Sequence, residues 1–188
     1  MSKPLIAILG VSGSGKTSLV NKLNKKYGYT VLKSYTTRPM REDDEADASS
    51  HEFCTMQEAA FIAENDKIIA KNWFDGHFYF ATKSQLDKSD LYVVDAKGLK
   101  DLYRFYYDRP IISVFLDVDS SIVADRMSKR GDSDEAILKR LQHDSEAFKD
   151  ARDYCDFVCD NSTQDKCNEI VEFLDMVMRY YNTKTKED

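Results

Sequence analysis

Apolar and polar positions along the chain alternate in blocks that predict strands and helices in turn. Short continuous apolar runs, typical of strands buried on both faces, occupy Leu5–Gly10, Leu91–Asp95, Ile111–Asp117 and Asp156–Asp160. Apolar positions recur at helical spacing in Gly15–Lys26, Gly98–Tyr107, Ser120–Arg130, Asp134–Arg152 and Thr163–Tyr181. Strands that alternate with helices predict an α/β protein in which helices cover both faces of a parallel sheet.

One segment departs from this alternation. Over residues 34–82 the chain becomes polar and then carries short β-prone runs, the last two of which flank Asp75-Gly76. An Asp-Gly pair suits a two-residue hairpin turn, because both central residues of that turn need positive φ. A helical pattern over Met56–Asn65 precedes the hairpin. The sequence therefore predicts a small antiparallel lobe inserted into a single domain, whose core is formed by residues 1–33 and 83–188.

The first apolar run leads into a glycine-rich loop, and Gly10–Thr17 spell GVSGSGKT. This is the phosphate-binding loop pattern in its strand–loop–helix context. Glycines let successive backbone N–H groups turn towards phosphate oxygens, and the following helix adds its positive end. We expect Lys16 to reach the β- and γ-phosphates and the Thr17 hydroxyl to bind Mg²⁺. The predicted nucleotide-binding residues of the loop are Ser12, Gly13, Ser14, Gly15, Lys16, Thr17 and Ser18.

The loop is shared by kinases, GTPases and motor ATPases, so the second substrate must be inferred from other residues. The guanine-reading Asn-Lys-x-Asp motif of GTPases does not occur in the chain. Phosphoryl transfer needs two phosphates positioned and the charge of the transferred group neutralised, which suits the guanidinium of arginine. The candidate arginines are grouped, with Arg38 and Arg41 three residues apart, Arg126 and Arg130 four apart, and Arg140 beyond a Gly-Asp-Ser break.

The segment Ser34–Arg41, SYTTRPMR, together with the phosphate loop, resembles the guanylate kinase family, whose signature after the second strand is Ser-x-Thr-Thr-Arg-x-x-Arg. Gly76–Tyr79 is similar to the family's Gly-Asn-Tyr-Tyr stretch, and Asp95–Gly98 to its Asp-x-x-Gly segment. The resemblance runs through nearly the whole chain. It implies a P-loop three-layer fold with a parallel core sheet, an inserted antiparallel lobe for a nucleoside monophosphate, and a short helical lid at about residues 127–138.

The resemblance also implies roles for residues at both predicted sites. The residues implied to hold the acceptor's phosphate are Ser34, Arg38, Arg41 and Tyr79. Asp95 is implied to lie beside the acceptor nucleoside or the metal-bound water, and Asn161 to contact adenine. The residues implied to close over the ATP phosphates are Arg126, Arg130 and Arg140, which together with Lys16 and Arg38 form the predicted catalytic set.

The positions at which the family reads guanine are different in this chain. Ala70 stands where the family has a glutamate that accepts hydrogen bonds from guanine N1 and N2, and Ala81 stands at a base-reading serine. Asn72, two residues after Ala70 on the same strand face, is a candidate substitute, and so is His51 at a tyrosine position. Retained phosphate-binding positions with altered base-reading positions predict guanylate bound differently or another small phosphorylated acceptor.

Together these features predict an ATP- and Mg²⁺-dependent nucleoside monophosphate kinase of the guanylate kinase type. We expect direct in-line transfer of the γ-phosphate to an acceptor, with GMP or dGMP favoured. One alternative keeps the fold but takes another deoxynucleotide or a phosphosugar. Another is a catalytically silent binding module, although such modules tend to lose phosphate-loop residues that are intact here.

Composition narrows the expected partners. The net charge of −6 argues against nucleic acid as the main partner, because phosphate backbones are bound by basic surfaces. No apolar run approaches the roughly 18 residues of a membrane-spanning helix, so no membrane partner is expected. Four irregularly spaced cysteines do not fit a disulfide framework or a zinc ribbon, which favours free thiols in the cytoplasm. We expect a monomer or homodimer.

Overall fold

The computed structural model describes residues 3–40 and 50–184, which form a five-stranded and a four-stranded sheet with flanking helices. The strands are β1 (Leu5–Leu9), β2 (Val31–Leu32), β3 (Ser34–Thr36), β4 (His51–Phe53), β5 (Ile68–Phe74), β6 (His77–Thr82), β7 (Leu91–Val93), β8 (Ile111–Asp117) and β9 (Phe157–Asp160). The helices are α1 (Lys16–Tyr27), α2 (Met56–Asn65), α3 (Lys83–Lys88), α4 (Ala96–Phe105), α5 (Ser120–Lys129), α6 (Asp134–Ala147), α7 (Ala151–Tyr154) and α8 (Gln164–Lys184).

The five-stranded core sheet is parallel throughout, with the strand order β2-β7-β1-β8-β9. All five residues of the central strand β1 are buried, as expected of a strand covered on both faces. β7 and β2 lie on one side of β1, whereas β8 and β9 lie on the other. The strand order therefore reverses at β1, and a crevice forms at the carboxyl end of this strand. Open α/β sheets bind ligands at such a point. The phosphate loop begins there.

Successive residues of β1 pack on opposite faces of the core sheet. Leu5, Ala7 and Leu9 join a cluster that includes residues of α4. Ile6 and Ile8 join a second cluster with α1 and α8. Helices therefore cover both faces, and the predicted three-layer parallel core is confirmed.

The four-stranded sheet of the inserted lobe has the order β4-β3-β6-β5. β6 is antiparallel to both of its neighbours, β3 and β5, whereas β3 and β4 are parallel. The lobe predicted as antiparallel is so for two of its three strand pairs, and the β3–β4 pair at its edge is parallel. Parallel neighbours need a long connection rather than a hairpin, and the chain between Thr36 and His51 is long enough to provide it.

The β5–β6 hairpin turns at Asp75 and Gly76, whose φ angles are 50° and 77°. Positive φ at both residues is what the Asp-Gly pair predicts. On one face of the lobe sheet, four aromatic rings stack in sequence with centroid distances of 5.1, 4.9 and 5.1 Å. These rings belong to Trp73, Phe78, Phe80 and Tyr35. The ladder occupies one face, so residues on the alternate positions point to the other face, towards the core.

The helix predicted over 134–152 is divided in the structure, since α6 ends at Ala147 and α7 begins at Ala151. Phe148 ends α6 with non-helical torsions, and its ring lies 6.1 Å from that of Phe115 in β8. Packing of this aromatic ring against the core accompanies the break. No helix within residues 3–40 and 50–184 combines the length and apolar character needed to cross a bilayer.

Candidate functional site

The loop between β1 and α1 has the backbone of a phosphate cradle. Gly13 and Gly15 adopt φ angles of 77° and 92°, in the region that favours glycine. A Cβ atom on Gly15 would lie 2.5 Å from the side-chain nitrogen of Asn161. The N-cap residue of α1 is Gly15, which has no side chain to cap the first N–H groups of the helix. These donors and the positive end of the helix are therefore oriented to receive an anion.

Lys16 lies folded back over this loop. Its Nζ donates hydrogen bonds to the carbonyl oxygens of Gly10 at 2.7 Å and Val11 at 2.8 Å. Burial lowers the pKa of Lys16 to about 8, opposed by the negative charge of Asp144 and reinforced by two nearby guanidinium groups. The ammonium therefore occupies a position where an added negative charge would stabilise it strongly.

Asp144 was not anticipated from the sequence, although it contacts the phosphate loop directly. Its Oδ2 accepts a hydrogen bond from the backbone N–H of Ser12 at 2.6 Å, and its side chain is buried. Its Oδ1 lies 3.0 Å from Nδ1 of His143. Asp144 is seven residues after the buried Ile137 and shares its helix face. The one sequence signal for Asp144 is that a carboxylate occupies a position on the apolar face of a predicted helix.

Arg126 and Asn161 bind the backbone of the loop. Arg126 donates to the carbonyl oxygen of Gly13 at 3.3 Å and, through Nη2, to those of Asn161 and Ser162 at 2.8 Å each. The buried Asn161 amide donates to the Ser14 carbonyl at 2.6 Å. Both residues therefore lie at the predicted nucleotide site, where they tie the loop to the end of β9. Their direct contacts with ATP stay predictions.

The other two predicted lid-side arginines surround the same region. Arg130 forms an ion pair with Asp132, in the connection between α5 and α6. The guanidinium of Arg140 lies 5.3 Å from the ring centroid of Phe74, at the end of the lobe strand β5. Their positive charges each lower the pKa of Lys16, which places them within electrostatic reach of its ammonium.

A second polar cluster lies on the core-facing side of the lobe and contains four predicted acceptor residues. Ser34 Oγ and His51 Nδ1 are 3.0 Å apart, and Arg38 Nε donates to the Tyr79 hydroxyl at 3.1 Å. The rings of His51 and Tyr79 are in edge contact at 5.7 Å. The structure thus brings these side chains together, and their contacts with an acceptor stay predictions. Arg41, the remaining predicted phosphate ligand, lies outside the described residues.

Asn72 and Asp95 join the lobe to the core beside this cluster. The Asn72 amide donates to Asp95 Oδ2 at 2.6 Å, and Asp95 Oδ1 accepts from the Gly98 N–H, also at 2.6 Å. Asn72 is paired with Tyr79 across β5 and β6, so the two side chains share a face. Asp95 therefore caps α4 and at the same time fixes the amide of Asn72.

Ala70 and Ala81, at the predicted base-reading positions, are paired across the same two strands. Both are fully buried, and a Cβ atom on Gly98 would lie 3.7 Å from that of Ala70. A carboxylate at position 70 would meet this packed core rather than open space. The half-buried polar groups next to these alanines are Asn72 and Asp95, which leaves them as the base-facing candidates.

Thr17, the predicted metal ligand, lies in the first turn of α1 and is half-buried. No group of three or more His, Cys, Asp or Glu side chains in the described part of the chain is arranged to hold a metal ion. A single hydroxyl at a phosphate cradle fits a Mg²⁺ ion that takes its other ligands from phosphate oxygens and water. The loop likewise fits a nucleotide triphosphate, because its glycines adopt the positive φ angles that turn backbone N–H groups towards an anion.

Comparisons with known proteins agree with this geometry. The AAA domain family model matches residues 6–151. The chain is 32% identical to a guanylate kinase of Hydrogenovibrio crunogenus over 77% of this chain and 73% of that protein. It is 30% identical to a guanylate kinase of Thermotoga maritima, over 76% and 72% of the two chains. In fold it resembles the crystal structure of guanylate kinase from Anaplasma phagocytophilum, with a TM-score of 0.65, 21% identity, and coverage of 96% and 87%.

These matches reach far beyond the phosphate loop. The sequence likeness spans about three quarters of the chain, and the structural likeness extends to the inserted lobe and the helices that follow it. A P-loop shared by unrelated enzymes would not produce such an extent. The chain belongs to the guanylate kinase family.

Proposed function

We propose that the protein transfers the γ-phosphate of ATP to a guanine nucleoside monophosphate, GMP or dGMP, and releases ADP and the diphosphate. The observation that carries the proposal is that one helix, α6, contacts both the phosphate loop and the hairpin of the lobe that contains the second polar cluster. α6 contacts the phosphate loop through Asp144 and the lobe hairpin through Arg140. A donor at the loop and an acceptor in the lobe are thereby adjacent, as in-line transfer requires.

At the donor site, the chain's own groups bind and orient the triphosphate. Lys16 exchanges two carbonyl contacts for phosphate oxygens, which favour its charged form. Backbone N–H groups of the loop hold the phosphates, and the Arg126 and Asn161 contacts keep this backbone in place. Mg²⁺ bound by Thr17 would neutralise charge on the triphosphate. The cationic side chains Arg130 and Arg140 stabilise the charge that spreads over the transferred group.

At the acceptor site, Arg38 and Tyr79 hold the monophosphate, with Ser34 and His51 beside them. The Arg38–Tyr79 hydrogen bond fixes the guanidinium in one orientation, which suits bidentate binding of phosphate. Arg41 is proposed to add a second guanidinium. No protein nucleophile is needed, because the acceptor's phosphate oxygen attacks directly.

Asn72 and Asp95 are the residues we assign to the base. Guanine presents the N1–H and exocyclic amine as donors, and the carboxylate of Asp95 and the amide oxygen of Asn72 are acceptors. Their mutual hydrogen bond orients both groups. A base without these donors would leave the oxygens of Asn72 and Asp95 without hydrogen-bond partners when it binds. This cost gives selectivity against such bases.

The direct test is an ATP-consumption assay with a panel of nucleoside monophosphates and ribose phosphates. We expect GMP or dGMP to be the best acceptor, Lys16→Ala to abolish turnover, and Arg38→Ala mainly to raise the acceptor KM. Matched controls are Lys25→Ala on the exposed face of α1 and Arg104→Ala on the exposed face of α4. Wild-type turnover by the Lys16 variant, or transfer to no monophosphate, would refute the proposed function.

A further inference from the structure

α6 carries one buried carboxylate, and that carboxylate lies on the phosphate loop. Asp144 is 5% exposed, and its Oδ2 accepts the Ser12 N–H at 2.6 Å. Residues 12 and 144 are far apart in sequence, so only the docking of α6 brings the carboxylate to the loop. The carboxylate of Asp144 thus binds a backbone N–H group of the loop that is predicted to bind phosphate.

We propose that Asp144 is an internal competitor of the ATP phosphates, a positioning residue that occupies the phosphate loop until ATP displaces it. A phosphate oxygen and a carboxylate oxygen cannot both accept the same Ser12 N–H at hydrogen-bond distance. Two anions held that close in a buried site would also repel each other strongly. The proposal rests on the proposed function, because it takes ATP as the displacing ligand.

The surrounding charges favour exchange of one anion for another. Asp144 raises the pKa of Lys16, which burial and the two arginines Arg130 and Arg140 lower. Removing the carboxylate without a replacement would leave the Lys16 ammonium without its stabilising negative charge and still close to two guanidinium groups. Arrival of a triphosphate supplies the missing negative charge, so the carboxylate can leave as the phosphates enter.

α6 connects this exchange to the acceptor lobe. One turn before Asp144, the guanidinium of Arg140 lies over Phe74 of the lobe hairpin, and His143 is in edge contact with the same ring at 4.8 Å. Lys139 lies 3.9 Å from the carboxylate of Asp75 in the hairpin turn. Asp144 and Arg140 lie one turn apart on α6, so the contact of Asp144 with the loop and the contact of Arg140 with Phe74 are made together. The state in which Asp144 occupies the loop is therefore also the state in which α6 packs on the hairpin of the lobe.

The test is to measure the affinity of the full chain for a non-hydrolysable ATP analogue with Mg²⁺ by calorimetry. Asp144→Ala should tighten binding by about tenfold, or about 1.4 kcal/mol, because ATP no longer competes with an internal anion. Asp144→Asn keeps the shape but loses the charge, so it should tighten binding by a smaller factor. Glu146→Ala, an exposed carboxylate on the same helix, is the control and should leave the affinity unchanged.

Steady-state kinetics distinguish competition from a purely structural contact. Competition predicts a lower KM for ATP with an unchanged KM for the acceptor. A structural role predicts weaker ATP binding, because the loop would lose a support. Folding of each variant is checked by circular dichroism, and Asp144→Asn decides the matter if Asp144→Ala does not fold.

Two results would overturn the inference, and they differ in what else they reject. If the wild-type protein binds the analogue and folded Asp144 variants bind it equally or more weakly, the inference fails while phosphoryl transfer stands. If neither the wild-type protein nor the variants bind the analogue, both the inference and the proposed function fail.

Discussion

Lys16 carries its charge in a buried position, and this makes ATP binding dependent on pH. Burial lowers the pKa of Lys16 to about 8 in the free protein. Bound phosphates favour the ammonium and raise this pKa in the complex. A group whose pKa rises on binding contributes affinity that is complete below its free pKa and is lost as the pH rises above it. We therefore expect the Kd for an ATP analogue to increase above about pH 8.

The increase should approach, at most, about tenfold per pH unit. Calorimetry in buffers of different ionisation enthalpy should also detect proton uptake on binding in that range. Lys25→Ala serves as the control, because Lys25 is exposed on the same helix and should leave the profile unchanged. An affinity that stays constant well above pH 8 would show that Lys16 is already fully protonated in the free protein.

Asn161 stabilises the loop before any ligand binds, and its removal should be measurable in the free protein. Asn161→Ala deletes the hydrogen bond to the buried Ser14 carbonyl. An unsatisfied buried acceptor costs about 1–3 kcal/mol, so the melting temperature should fall by several degrees. The KM for ATP should rise as well. Asn168→Ala, at an exposed position on α8, is the control and should change neither quantity. An Asn161→Ala protein with the wild-type melting temperature would contradict the proposed role of Asn161 in stabilising the loop.

At the residue scale, the sequence predicted those site residues that lie in local motifs. Gly10–Thr17 indicate phosphate binding through their own spacing, whereas the roles in the contiguous Ser34–Arg41 segment are implied by the family resemblance. Asp144 escaped prediction because its partner, Ser12, is distant in sequence. The hydrogen bond between Asn72 and Asp95 likewise depends on how the lobe meets the core, which no local pattern encodes.

At the level of elements, the contact between α6 and the β5–β6 hairpin can be tested by removing one ring. Phe74→Ala deletes the surface beneath Arg140 and His143. A cation–π contact at an exposed site contributes about 0.5–1 kcal/mol. If this contact helps to hold α6 on the loop, its loss should tighten binding of an ATP analogue by about two- to fivefold.

Trp73→Ala is the matched control for this change. Trp73 is the neighbouring aromatic residue of β5, but it stacks on Phe78 on the opposite face of the lobe sheet. Calorimetric titration should therefore give a wild-type affinity for the Trp73 variant. An equal effect of both substitutions would trace the change to the lobe as a whole rather than to α6.

The elements that the sequence predicted well are those with enough residues to show a period. The apolar run Ile111–Asp117 coincides with β8. α4 begins two residues before its predicted start, because Asp95 caps it through the Gly98 N–H. The missed elements β2, β3 and α3 span two, three and six residues, too few for a periodic signal.

At the scale of the whole molecule, the alternation of strands and helices was sufficient to predict the three layers, but not how the lobe is attached. Ile69, Ala70 and Ala81 of the lobe belong to the same buried cluster as Leu5 and other core residues. The buried alanines at the predicted base-reading positions thus contribute to this junction. The sequence showed them only as departures from a family pattern, because their packing partners lie in distant segments.

This shared cluster leads us to expect that the lobe and the core unfold together. The lobe is also attached by hydrogen bonds from Asn72 to Asp95 and from the Lys71 N–H to Asp101. Unfolding the lobe alone would break these bonds and expose the apolar face beneath Ile69 and Ala70, so a partly unfolded state is disfavoured. Equilibrium unfolding in urea should therefore be a single cooperative transition.

The single tryptophan makes this expectation simple to measure, because Trp73 reports on the lobe while far-ultraviolet circular dichroism reports mainly on the helices of the core. The two signals should have the same midpoint and slope, since both follow one equilibrium. Trp73→Phe should abolish the fluorescence transition and leave the dichroism transition in place. A fluorescence midpoint at clearly lower urea would mean that the lobe opens independently, and the buried junction would then contribute little to holding the acceptor site against the donor site.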